Sequence, residues 1–356
     1  MSDTKIKSDM NEIFLAPAPH VVTPVSTHKL MRNVVIALAP IVIYSVYLYS
    51  WAAVIRICVS VLATVLFESL FRMILHRDVR VKDYSAIITG LLLALVMPPA
   101  LPIWMLIVSS FFAIVVGKEF FGGLGQNIFN PALIGRAVAF MSFAGPMTSW
   151  TSTRQSGFFG GLSGEFQNSL TTASAKTVDA LAGATPLWSI NPIDGVITSA
   201  ADLATNLGFD SKFEFYLSLL IGNHRGSLGE SPALLILISL VFLLVTKTVN
   251  WRIPVSMILS SAIFAWILGI DPVLTVLSGG LLLGAVFMAT DYVTSPVTPI
   301  GRIIFGVGCG VLTVAMRVFS SLPEGVMFSI LTMNAVTPFL NKIIPRKYGY
   351  VKGAKK

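Results

Sequence analysis

Charge is scarce in this sequence, and so are the side chains that hold metals: 12% of its 356 residues are charged, and it has two cysteines and four histidines. An iron–sulfur cluster usually takes four thiolates, so Cys58 and Cys309 exclude a self-contained one, and a disulfide framework fails on the same count. His20, His28, His76 and His224 include no pair at helical ligand spacing, which removes the zinc-hydrolase pattern. The one Gly-Lys pair, Gly117-Lys118, has Phe112 where a phosphate-cradling loop carries its first glycine and Glu119 where it carries Ser or Thr. Nucleotide P-loop chemistry is therefore absent.

What fills the chain instead is apolar, 54% of its residues. Uninterrupted apolar runs lie near 34–53, 57–75, 85–97, 101–117 and 128–144, and again near 232–249, 253–270, 273–289, 303–319 and 325–341. Their lengths suit α-helices crossing a hydrocarbon core about 30 Å thick, and they lack the strict alternation of a β-barrel. The expected fold is an all-α polytopic membrane protein with about ten spans in two sets of five. The stretch Ser85 to Gly117 carries no charge but is broken by Pro98, Pro99 and Pro102, so it is either two short spans or one re-entrant hairpin. Both choices leave the sidedness of later spans unchanged.

The formal charge of +8 does not need a nucleic acid to explain it. With a cytoplasmic N-terminus, 18 of the 25 Lys and Arg residues fall on the cytoplasmic side and six on the other, Arg136 lying within a span. Both termini are then cytoplasmic. The expected organisation is a cytoplasmic segment 1–33, five spans in 34–144, an external loop 145–229, five spans in 230–341 and a basic cytoplasmic tail 342–356. No cleavable signal peptide is expected, because the first 33 residues are polar and the first apolar run is long enough to span. Five spans per set would insert the halves in opposite directions, as in inverted-repeat transport folds, although the short echo of Pro131…Gly135-Arg136 in Pro296…Gly301-Arg302 joins spans of like direction.

Within the external loop, Asp179-Ala180-Leu181-Ala182-Gly183-Ala184-Thr185-Pro186-Leu187 sets two small residues before a threonine and a proline after it. A bulky partner can approach that hydroxyl closely, and the proline fixes the local backbone. This suits an acceptor of covalent modification, and it equally suits a turn whose threonine caps a neighbour.

The segment resembles the flavinylation motif of the membrane proteins of ion-pumping electron-transfer complexes, in which a threonine carries FMN through a phosphoester. Asn130-Pro131 with Gly135-Arg136-Ala137, the Gly226-Ser227-Leu228-Gly229-Glu230 segment and the ten-span layout extend the resemblance over about residues 12 to 348. Together they are similar to the RnfD family of Rnf-type complexes, and more distantly to the NqrB component of the sodium-pumping NADH:quinone oxidoreductase. The RnfD family often has Ser or Thr where this chain has Ala182.

The resemblance implies FMN on Thr185, close approach at Gly183 and Ala184, and a role for Asp179 in positioning a flavin transferase or its metal. It also implies a second, non-covalent flavin (riboflavin or FMN), and partners that include a second flavinylated subunit and iron–sulfur subunits. Its expected work is to relay electrons between ferredoxin and NAD sides while the complex moves Na⁺ or H⁺ across the cytoplasmic (inner) membrane. A competing reading is a solute permease or channel, with the 85–117 hairpin and Arg136 forming its site.

Other candidates are weighed against plainer roles. An isolated arginine within a span costs at least about 2.5–3.5 kcal/mol, so Arg136 either holds a flavin phosphate, a ring oxygen or a carboxylate, or snorkels to the headgroups. Glu68 is an intramembrane carboxylate and hence an ion-path candidate, with snorkelling as the alternative. Asp291, with Thr290, Thr294 and Ser295, offers hard oxygen ligands or a helix cap. Ser227 and its glycines either present helix-start amides to an anionic group or form a simple N-cap.

Overall fold

The computed structural model describes residues 26–78, 83–148, 211–222, 226–230, 233–320 and 325–343. Among these every regular element is helical and no strand occurs. The first set comprises α1 (Thr27–Tyr49), α2 (Trp51–Ile74), α3 (Ser85–Val96), α4 (Ile103–Phe111) and α5 (Pro131–Ser142). The second comprises α6 (Lys212–Ile221), α7 (Ala233–Val245), α8 (Arg252–Ile267), α9 (Pro272–Leu277), α10 (Leu281–Leu283), α11 (Pro299–Phe319) and α12 (Val326–Leu340). Two helices widen into π-helical turns, α4 over Phe112–Glu119 and α10 over Gly284–Met288.

Three helices, α1, α2 and α11, are long and apolar enough to cross a membrane, with 23, 24 and 21 residues, and α3, α5, α7, α8 and α12 are shorter apolar helices. Their outward faces carry Ile43, Leu62, Leu66, Ile238, Val241 and Ile263, all exposed. So much contiguous apolar surface is what a chain shows when lipid, and not water, covers it. This is a multi-pass membrane protein.

Helix direction follows from side-chain contacts. Ser60 Oγ donates to Gly90 O and Thr64 Oγ1 to Ala86 O, which makes α2 and α3 antiparallel. Arg56 Nε donates to Leu101 O near the start of α2, and Lys118 meets Glu68 near its end, so α4 runs parallel to α2. In the second set α8 and α11 also run parallel: Gly306 faces Ser256, and Gly310 faces Ser260 and the Met257 carbonyl. A Cβ at Gly310 would stand 2.5 Å from Met257 O, so only glycine permits this approach. The contacts gather Lys29, Arg32, Arg77, Lys247, Arg252, Arg302 and Lys342 at one end, the basic end of the bundle.

The segment 85–117 forms two helices joined by a tip at 97–102 that reaches the level of Arg56, five residues from the start of α2. Four cations that the charge count places on one side or the other are buried in helices: Arg56, Arg72, Lys118 and Arg317 are 3%, 6%, 2% and 1% exposed. Two come off each side of the charge count, 18 falling to 16 and six to four, and the asymmetry stands.

Buried hydroxyls are paired within the helices. Ser109, Ser110 and Thr313 each donate to the carbonyl four residues back, which satisfies them without breaking the apolar packing. The two echoed prolines take different places: Pro131 opens α5 after its cap Asn130 Oδ1, whereas Pro296 lies three residues before α11, which Thr298 Oγ1 caps and Pro299 opens.

Candidate functional site

Both π-helical turns end on one cavity at the basic end. It has a volume of about 80 Å³ and is lined on its apolar side by Val34, Ile88, Leu92, Leu243, Val286 and Phe287. Its polar edge is Ser85, Thr89, Lys118, Asn127, Thr290 and Asp291. A π turn adds a residue to the helical repeat and so re-aims the side chains that follow it; such turns concentrate at functional sites. Here the first turn brings Lys118 to the cavity and the second sets Asp291 at its mouth.

Lys118 anchors a buried ion network. Its Nζ lies 2.7 Å from Glu68 Oε2 and 2.7 Å from Ser85 Oγ. One turn along, Arg72 Nε and Nη2 donate to Glu119 Oε1 at 3.2 and 3.1 Å, and Arg72 stands 3.6 Å from Glu68 Oε1. Two carboxylates thus face two cations, all four side chains nearly inaccessible. Glu68 Oε1 and Glu119 Oε2 have no hydrogen-bond partner among the described residues, so the pairing balances charge but leaves acceptor capacity open.

Glu68 does not snorkel: it turns inward to Lys118. The missed residue is Lys118, whose signal was available as a lone lysine at the end of a long uncharged run. Gly123, with φ at +93°, returns the chain over this network, and a Cβ there would stand 2.7 Å from Arg72 Nη2.

Asp291 accepts from Val293 N at 3.4 Å and Thr294 Oγ1 at 3.3 Å, the local turn expected of such a residue, while also lining the cavity. Loss of water pushes its carboxyl above the ordinary range, against the lowering effect of those hydrogen bonds and of Lys118. A carboxyl whose folded value is raised is best tolerated when protonated. Its cost is absent below the ordinary carboxylate range and grows as pH rises through the folded value. Asp291→Asn should therefore raise the melting temperature at pH 7 to 8, with the difference shrinking toward pH 4. Equal shifts at both pH values in thermal unfolding would contradict this.

Asn130 bridges the two halves. Its Oδ1 caps Ala132 N and Leu133 N, and its Nδ2 donates to Met288 O. Asn127 donates to Phe129 O and presents the rest of its amide to the cavity.

Arg136 is 5% exposed and does not snorkel either; Glu230 is a carboxylate near enough to act on it electrostatically. The amides assigned to an anion at Ser227 are already engaged. Ser227 N and Oγ donate to Glu230 Oε2, Leu228 N to Met97 O and Gly229 N to Leu95 O. This strap closes over the α3 tip, held also by Ser45 Oγ on Leu228 O and Tyr49 OH on Gly226 O. Ser227 is a fixed part of the wall, its amide and hydroxyl already taken by Glu230 rather than open to an anion. Asp179, Gly183, Ala184 and Thr185 lie outside the described residues.

Comparison with known proteins agrees with the helical architecture. The NQR2, RnfD, RnfE family model matches residues 14–349. The D subunit of a proton-translocating ferredoxin:NAD(+) oxidoreductase complex of Clostridium ljungdahlii is 36% identical, over 98% of this chain and 99% of its own. Its Na(+)-translocating counterpart of Acetobacterium woodii is 37% identical, over 96% and 98%. The D subunit of an ion-translocating oxidoreductase complex of Stutzerimonas stutzeri is 37% identical, over 91% and 92%.

Proposed function

Because the chain belongs to the NQR2, RnfD, RnfE family, we propose that it is the RnfD-type membrane component of an ion-translocating ferredoxin:NAD⁺ oxidoreductase complex. In this reading it relays electrons while the complex moves a monovalent cation. The observation that carries the reading is the match to such D subunits along nearly the whole of both chains. A proton-named and a sodium-named relative match equally well, so the cation is Na⁺ or H⁺.

In this proposal the chain crosses the cytoplasmic membrane ten times with both termini inside. Its loop 145–229 lies outside, where a flavin transferase joins FMN to Thr185 by a phosphoester. Gly183 and Ala184 give access to the hydroxyl, and Asp179 positions the transferase. Partner subunits supply a second covalent flavin and the iron–sulfur centres, which two cysteines in separate helices cannot.

The cavity at the basic end suits the non-covalent flavin. A flavin ring is flat and mostly apolar with one polar edge. The cavity opposes Leu92 and Phe287 to Lys118, Asn127 and Asp291, an apolar wall facing a few polar groups as ligand sites usually have. Bound there, the flavin would supply one- or two-electron chemistry. The protein's own contribution is to exclude water with the apolar wall, orient the polar edge through the Asn127 amide, and hold a balanced charge network beneath it. The network offers Glu68, and the cavity wall offers Asp291, as carboxylates on the cation's route.

Filling the cavity tests the assignment. Leu92→Trp should lower the flavin released on denaturing the purified complex by about one equivalent per complex, while protein-bound fluorescence in the gel persists. Unchanged flavin release, with the tryptophan variant folded, would remove the second flavin from this cavity.

A further inference from the structure

A second void, only about 20 Å³ and so about the size of one water, lies between the first cavity and the far end of the bundle. It is walled by Val96, Leu133 and Met327, and by two arginines from opposite halves of the chain, Arg136 of α5 and Arg317 of α11. The guanidinium of Arg317 is in a residue 1% exposed and that of Arg136 in a residue 5% exposed. Arg317 donates from Nη1 to Thr275 O at 2.6 Å and from Nη2 to Ser278 O at 3.1 Å. It thus takes up carbonyls left open where α9 breaks before α10. Its Nε is buried with no hydrogen-bond partner among the described residues. Glu230 is the carboxylate that acts electrostatically on both arginines.

The two voids stack along the same helices. Leu92 of α3 and Ala132 of α5 line the first; Val96 and Leu133, one turn and one residue further on, line the second. A cation leaving the first cavity through the centre of this protein must therefore pass two guanidinium groups against one carboxylate, counted among the described residues. Fixed positive charge at a constriction is the means by which pores reject cations and protons.

We propose that Arg136 and Arg317 form an electrostatic seal across the centre of this protein. The cavity at the basic end is then a dead-end vestibule open to one side of the membrane. A cation that enters it leaves by another route or returns, and the protein does not short-circuit the gradient that the complex builds. The proposal holds whether or not the cavity contains a flavin, and it separates this chain from a permease, whose central path must conduct.

The test uses the assembled complex in sealed vesicles without electron donor, with passive ²²Na⁺ efflux and proton leak as readouts. Wild type should be as tight as vesicles lacking protein. Arg136→Gln with Arg317→Gln should raise one or both leaks at least about tenfold, the factor expected from removing a unit charge about 10 Å away at an effective dielectric of about 20. Arg136→Lys with Arg317→Lys keeps the charge while losing the forked hydrogen bonds, and should stay tight. Equal leaks in the lysine and glutamine variants would mean that shape and not charge closes the path, which overturns the proposal. A tight, folded glutamine variant would overturn it outright.

Should the glutamine variant fail to fold, the native arginines can be probed in place. Thr89→Cys, in the vestibule, should react with a membrane-impermeant cationic thiol reagent from the cytoplasmic face only. Equal reaction from both faces would show that no seal exists.

Discussion

Lys118→Met should destabilise the protein by about 3–5 kcal/mol, the usual consequence of removing one member of a buried ion pair. The lysine neutralises Glu68 at 2.7 Å in a setting where both side chains are nearly inaccessible. Without it, Glu68 keeps only the contact with Arg72 at 3.6 Å, and Ser85 Oγ loses its lysine donor. The protein must then hold an underpaired carboxylate or protonate it, and both are costly. Adding Glu68→Leu to Lys118→Met should recover much of the loss, because an apolar pair of similar volume needs no charge partner. Thermal unfolding in detergent reads the three variants, and a Lys118→Met protein melting at the wild-type temperature would contradict the network. Cation transport reads something different: if Glu68 stands on the cation's route, the double variant regains stability while staying defective in transport.

The second large effect is expected at Thr185. If Thr185 is the acceptor proposed above, Thr185→Ala should abolish covalent flavin and bring ferredoxin-to-NAD electron transfer to background. Thr185→Ser retains a hydroxyl and should keep part of both. Electron transfer at the wild-type rate in the alanine variant would detach this residue from the relay.

Much of the helical layout was legible because apolar runs of helical length have few other solutions in lipid. The boundaries of α3 and α12 fall within one residue of the runs 85–97 and 325–341, whereas α1 and α2 begin seven and six residues before the runs 34–53 and 57–75. The break at Pro98 to Pro102 was equally plain, since three prolines within five residues remove too many amide donors for a helix to continue, although single prolines, Pro40 and Pro338, sit inside α1 and α12. The pairing of buried charges was not. Lys118, Arg72, Arg56 and Arg317 each stand near the end of an apolar run, where a linear reading cannot tell a headgroup contact from an inward turn. Only three-dimensional proximity shows Lys118 reaching Glu68 across 50 positions of sequence, or Arg317 reaching back to Thr275.

Ser227 illustrates the converse error. A glycine-flanked serine before a helix has the local form of an anion cradle, yet its amides are occupied by Glu230 and, beside it, by the carbonyls of Leu95 and Met97. Those carbonyls are free to accept because α3 ends there. A helix end distant in sequence therefore decided the role of this segment. Asp291 could be read both ways from sequence and holds both positions in the structure, a local turn and a cavity wall.

The measurement that bears most directly on the relay is flavin fluorescence of the denatured protein in a gel, after expression with a flavin transferase, with the attached mass located by peptide mass spectrometry. The account predicts a fluorescent wild-type band, FMN mass on the peptide containing Thr185, and a dark Thr185→Ala band. A dark wild-type band beside a flavinylated control substrate would contradict it.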